Sequence, residues 1–260
     1  MVQLKFLKLG SKYPSKVDST KQTIESNIQI TNIPIDVDIT GLRVVISYSL
    51  YANAQKYIGG LITNCKLINL HFPNFWIYVF VGNDFDHSIL LQLKSFRNVN
   101  IIETGRSGHI NMSYRFTAID YDEVGIVFSR DCDSYVNRRD RYCIQKFVES
   151  DKKFQIIREN LSHRIEILGG MWGVKKGMFD FKMCDKINEY FINIQNPGYG
   201  DDQQFLIKCI YPIVRDFSQV FDEFFHFPGE TPEKIVGIPY ELYNHVGAVG
   251  LYIDMDPMEV

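Results

Sequence analysis

Asp131-Cys132-Asp133 is the most informative triplet of the chain, because two carboxylates two residues apart reach one crevice only where the backbone turns. Side by side they repel, and the usual remedy is a divalent ion with oxygen ligands, Mn2+ or Mg2+, bridging them to a substrate diphosphate. Arg115 lies upstream in Tyr114-Arg115-Phe116. Its guanidinium matches a phosphate bidentately, and an ion pair with Asp120 or Asp122 is the alternative use. Asp201 and Asp202 follow the turn Pro197-Gly198-Tyr199-Gly200 and open a helix, where an aspartate is either a base at a ligand or the helix cap. Leu168-Gly169-Gly170-Met171-Trp172-Gly173 sets three glycines around two large side chains, so the backbone must come close to something there. Two histidines, His226 and His245, are available late in the chain.

The elements that carry these residues alternate. Leu42–Tyr48, Trp76–Val81, Val99–Glu103 and Glu123–Ser129 are short apolar runs that suit strands buried on both faces. Between the first two, Ile58, Leu61, Ile62, Cys65 and Ile68 form a helical stripe that stops before Pro73; Ile89, Leu90, Leu93 and Phe96 form another after Gly82-Asn83. Residues 110–119 read as helix, and the acidic triplet follows the fourth strand directly. Downstream, 138–149 reads as a helix, Phe154–Arg158 as a strand, and Met183, Ile187, Tyr190, Phe191 and Ile194 as a helical stripe. The order predicts an α/β fold with a largely parallel sheet covered by helices on both faces, binding its ligand at the carboxyl ends of the strands. Residues 1–40 are polar and punctuated by Pro14 and Pro34, an extension before a domain over 41–260.

Composition narrows the partners. A net charge of −3 with no basic block predicts no nucleic-acid partner. Five cysteines without a CxxC pair argue against a disulfide framework and a zinc cluster, and fit a reducing compartment. No apolar run is long enough for a signal peptide or a membrane span, so a soluble cytoplasmic protein is expected.

Taken in order, the segment from Tyr114-Arg115-Phe116 through the hydrophobic strand to Asp131-Cys132-Asp133-Ser134 resembles the donor site of a GT-A-type glycosyltransferase. Residues 42–60 and Phe75–Asp84 resemble that fold's first two strands, Ile167–Lys175 its acceptor-side strand, and Tyr199–Leu206 the acidic motif opening its catalytic helix. The resemblance covers about residues 42–210 and implies a single GT-A-like α/β domain with a central mixed, mostly parallel sheet flanked by helices, divided into a nucleotide-binding half, 41–134, and an acceptor-binding half, 135–260. It implies a nucleotide-sugar donor held by Ser47, Tyr48, Tyr57, Arg115, Asp131 and Asp133, with the metal on Asp133 and shared by Asp131, which otherwise holds the ribose. The acceptor, a glycan or another hydroxyl compound, would face Gly169, Gly170, Met171 and Trp172, with Asp202 or Asp201 as its base or orienting group. A late histidine often completes such a metal site. His226 resembles that of an HFxG element but stands only 24 residues after Asp202 and lacks the Lys-Pro-Trp that should follow, and His245, beside glycines, is the alternative.

Three rivals share part of the pattern. A haloacid-dehalogenase-like phosphatase would use DCDSY as its nucleophile motif and GDDQQ as its metal motif, but that fold places its nucleophile on the first core strand, and three strand units precede Asp131. A nucleotidyltransferase would carry glycines near the first strand, and Ser47–Tyr51 has none. A non-catalytic sugar- or nucleotide-binding module is the third, and the four acids Asp131, Asp133, Asp201 and Asp202 argue for retained chemistry instead.

Overall fold

Alternate residues of the first strand face two separate cores. In β1 (Arg43–Leu50), Val44, Ile46 and Tyr48 belong to one cluster and Val45 to the other, which is why the run is apolar throughout and not alternating. This computed structural model describes residues 41–51, 55–240 and 245–248, all within one compact unit. The expected extension over 1–40 lies outside the described residues.

The other strands are β2 (Trp76–Val81), β3 (Val99–Glu103), β4 (Val124–Ser129), β5 (Phe154–Arg158), β6 (Trp172–Lys175) and β7 (Ser218–Asp222). They form one seven-stranded sheet in the order β3-β2-β1-β4-β6-β5-β7. Strands β1 to β4 are mutually parallel, β6 runs antiparallel to both β4 and β5, and β7 is parallel to β5. This is a mixed, mostly parallel sheet, as expected from the sequence. One face is covered by α1 (Gln55–His71), α2 (His87–Leu93) and α4 (Arg138–Glu149), through Ile58, Leu61, Cys65, Leu90, Ile144 and Phe147. The opposite face takes Phe116, Met183 and Ile187 of α5 (Met183–Phe191), and Phe205.

Two segments differ from their sequence reading. Residues 110–119 are not one helix but a single α-turn, α3 (Asn111–Tyr114), tightening into a 3-10 turn over Arg115–Asp120. The helix opened by Asp201 is likewise composite: α6 (Asp201–Phe205) passes through a π-turn, Leu206–Ile210, into α7 (Tyr211–Val214). Pro212 sits in the first turn of α7. Its ring has no N–H and would collide with a carbonyl four residues back in a regular helix, which the widened turn relieves.

Candidate functional site

Strand order reverses at β1, which has β2 on one side and β4 on the other, and a crevice opens there beyond the strand ends. It holds a cavity of about 360 Å³ whose wall includes Tyr51, Lys56, Tyr57, Arg115, Asp131, Cys132, Asp133, Gly169, Tyr199, Asp202 and Gln203. Of the residues singled out in the sequence, Tyr57, Arg115, Asp131, Asp133, Gly169 and Asp202 therefore meet in one place.

The turn after β4 is held from below and from the side. Arg130 is buried, pairs bidentately with Asp140 at 3.0 and 2.7 Å, and donates to the Trp172 carbonyl at 3.1 Å. Asn64 of α1 donates to the carbonyls of Cys132 and Ser134 at 3.2 and 2.9 Å and accepts from the Val136 N–H at 3.0 Å. Gly60 lets α1 lie directly on that turn, since a Cβ there would overlap the Cys132 carbonyl. The Cys132 thiol is buried against the Ser49 carbonyl, and burial raises its pKa, so it is not a nucleophile.

Arg115 joins the two acidic motifs. Its Nη1 donates to Asp131 Oδ1 at 2.5 Å and its Nη2 to Asp202 Oδ2 at 3.1 Å, with the guanidinium almost entirely buried. Strand β1 fixes it: the Ser47 hydroxyl donates to the Arg115 carbonyl at 2.7 Å, and the Arg115 N–H donates to the Ser49 hydroxyl at 3.1 Å. Neither Asp120 nor Asp122 pairs with it; Asp120 instead accepts from the Met183 and Cys184 N–H groups at the start of α5. Burial raises the Asp202 carboxyl above the ordinary aspartate range, and the Arg115 charge opposes that rise. Asp133 is held from the opposite wall by Lys56, at 3.2 Å, and the same ammonium lies 4.3 Å over the Tyr57 ring. Tyr51 is half-buried and its hydroxyl is pushed up to about 12, chiefly by burial.

Glycines make these approaches possible. A Cβ on Gly169 would stand 2.6 Å from Arg115 Nη2 and 3.0 Å from Asp202 Oδ2, and one on Gly170 would overlap the Asp131 carboxyl. The close approach expected at this pair is thus to the charged cluster itself.

Other expected site residues lie elsewhere. Tyr48 is fully buried in the core and Ser47 reaches only Arg115, because β1 is covered on both faces. Trp172 cannot offer a ring to a ligand: it is fully buried, stacked on Phe154 at 5.2 Å and edge-on to Phe116 at 5.3 Å. Met171 is buried against Gly247. Asp201 closes the preceding turn by accepting from the Gly198 N–H at 2.7 Å, so its partner Asp202 alone enters the cavity. His226 is exposed in a loop pinned where Phe227 lies 4.7 Å under the Arg158 guanidinium. His245 is buried against His163, with ring centroids 5.6 Å apart, and its carbonyl accepts from Asn137. Neither histidine lines the cavity, and among the described residues no three His, Cys, Asp or Glu side chains gather as a metal site. The sequence reading missed Tyr51, Lys56, Tyr199 and Gln203, although Tyr199 and Gln203 flank Asp202 in the chain.

No family model and no curated protein matches the chain. Among solved structures, residues 1–349 of Staphylococcus aureus TarS are similar over 70% of this chain and 58% of that one, at 15% identity and a TM-score of 0.49. The mannosyltransferase PcManGT of Pyrobaculum calidifontis, solved with GDP-Man and Mn2+, is similar over 70% and 54%, at 14% identity and a TM-score of 0.46. The glycosyltransferase GlyE of Streptococcus pneumoniae is similar over 69% and 45%, at 16% identity and a TM-score of 0.48. The chain thus spans less than two thirds of each of these solved chains.

Proposed function

We propose that the chain is a metal-dependent glycosyltransferase that moves a sugar from a nucleotide-diphosphate donor, a UDP- or GDP-sugar, to a hydroxyl acceptor. The observation that carries this reading is the convergence of Asp131, Asp133 and Asp202 on one cavity of about 360 Å³, with Arg115 bridging the first and the last. The lining acids Asp131, Asp133 and Asp202 outnumber the lining bases Lys56 and Arg115 by one. A cavity of that sign repels a diphosphate unless a divalent cation comes with it.

The residues fit such an ion in a particular way. Asp131 and Asp133 provide hard oxygen donors, which suit Mg2+ or Mn2+ held by one or two carboxylates and completed by substrate phosphates. Bound there, the ion supplies Lewis-acid stabilisation of the departing diphosphate. Lys56, at the rim on the Asp133 side, adds positive charge where that group leaves. Asp202 takes the proton of the acceptor hydroxyl, and Arg115 keeps its buried carboxyl ionised and aimed. Gly169 and Gly170 let this charged cluster pack against backbone, which sets the acids at the cavity wall. A phosphatase reading would need Asp131 as a free nucleophile on a first strand; here it follows the fourth and is held by Arg115.

The test is calorimetric titration of UDP, GDP and their common sugar conjugates with and without Mn2+, on the wild type and on Asp133→Asn. Metal-dependent binding of one nucleotide, weakened at least tenfold in the variant, is the expected result. Absence of nucleotide binding together with hydrolysis of p-nitrophenyl phosphate would return the phosphatase to first place.

A further inference from the structure

We infer that the acceptor is an uncharged pyranoside, and that Tyr199 is the residue that selects it by stacking under its ring. The inference rests on the glycosyltransferase reading and concerns the half of the cavity around Asp202. The wall there includes Tyr199, Gly200, Asp202 and Gln203, neighbours in the chain, while Lys56 pairs with Asp133 beside Tyr57 and Cys132. Tyr51 links the two, within electrostatic reach of Tyr57, Asp202, Arg115 and Tyr199.

Tyr199 is 85% exposed, more than any other large hydrophobic side chain described, yet it belongs to the cavity wall. It is also placed by construction. Gly200 has φ +89°, a backbone shape only glycine takes without strain, and Asp201 ties the turn shut through the Gly198 N–H. The ring is therefore carried on a closed turn three residues before Asp202, which is itself anchored by Arg115.

The chemistry of this half says what it recognises. An aromatic face attracts the polarised C–H bonds on one face of a pyranose, while a carboxylate and an amide take up the ring's neighbouring hydroxyls. Anionic acceptors meet nothing favourable here. Of the two lining cations, Arg115 is engaged with Asp131 and Asp202, and Lys56 stands beside Asp133, where the proposed reading places the donor's diphosphate; Asp202 itself repels a phosphate. Lipid chains would need a continuous apolar wall, and Gly200, Asp202 and Gln203 do not provide one. With Trp172 buried, Tyr199 is the most exposed aromatic side chain of the cavity wall among the described residues.

The experiment measures transfer from the donor found by calorimetry to methyl α- and β-glucopyranoside, methyl α-mannopyranoside, N-acetylglucosamine, glycerol 3-phosphate and octanol, using wild type, Tyr199→Phe and Tyr199→Ala. Transfer to a pyranoside with the acceptor KM raised about tenfold in Tyr199→Ala, little changed in Tyr199→Phe, and donor affinity within twofold by calorimetry, is the expected result. Saturation-transfer NMR of the pyranoside should weaken in step. An alanine variant with an unchanged acceptor KM overturns the role of Tyr199, and preference for glycerol 3-phosphate or octanol overturns the acceptor class. A wild type that binds no nucleotide sinks the transferase reading, and this inference with it.

Discussion

A buried arginine between two carboxylates is the residue on which the site turns, because it pairs at once with Asp131 and Asp202, the acids to which the proposed function gives the metal and the acceptor proton. In its proposed role as base Asp202 must be ionised, and burial raises its carboxyl, so turnover should rise with pH through a midpoint above the free aspartate value of about 3.9. Arg115→Gln removes the charge that opposes this rise and should move that limb to higher pH; a pH–rate profile with an unmoved limb would dissociate Arg115 from the base. The same change leaves two acids without their partner and should cost about 3 kcal/mol in urea denaturation. Gly170→Ala is expected to act locally. The new methyl overlaps the Asp131 carboxyl, so metal-dependent nucleotide affinity should fall at least tenfold by calorimetry while circular dichroism stays native. That Asp131, Asp133 and Arg115 share one cavity with one of the two aspartates after Gly200 was legible in the sequence, because such chemistry is carried by residue type and spacing; which of that pair enters was not. Trp172 was misleading because a large ring between glycines reads identically whether it faces a ligand or, as here, Phe154 and Phe116.

At the scale of elements, helix α1 positions the acidic turn more than strand β4 does. Asn64 makes three hydrogen bonds to it, and Gly60 allows the contact. Losing them in Asn64→Ala should cost roughly 2–3 kcal/mol in stability and weaken nucleotide binding, measured by urea melts and calorimetry on the same sample. A surface control such as Lys66→Ala should do neither. Within the sequence, Asn64 is one polar residue on a stripe of apolar ones, and nothing local announces that it reaches across 70 residues to Ser134. The alternation of strands and helices was legible through periodicity. Strand β6 was reached only through the resemblance of Ile167–Lys175 to an acceptor-side strand, and the 3-10 turn carrying Arg115 not at all, since both are set by packing against β4 and β1 and not by their own pattern.

Across the whole molecule, buried arginine–carboxylate pairs recur around the sheet. Arg130 joins Asp140, Arg139 joins Glu159, and Arg158 joins Asp222 and Glu230. Arg139 and Glu159 together hold the 238 and 246 regions through the Ile238 carbonyl and the Val246 N–H, which brings His245 against His163. Burial, with His245 alongside, lowers His163 from 6.5 to about 4. The unfolded chain therefore takes up a proton that the folded one refuses, so stability present above pH 6.5 is lost progressively as pH falls toward 4, by at most about 3 kcal/mol. His163→Gln should flatten the decline of the urea midpoint between pH 7 and pH 4.5; equal slopes in both proteins would remove His163 as its source.

The π-turn between α6 and α7 separates two jobs that a regular helix would have to share. Upstream, the helix aims Asp202 and Gln203 at the cavity; downstream, Val214 is buried in the core. Taking one residue out of Leu206–Ile210 would rotate one half against the other by roughly 100°, so either the acid or the valine would lose its place. The widened turn is thus a phase adjuster. It lets the face that borders the cavity change by substitution while α7 keeps its own hold on the core.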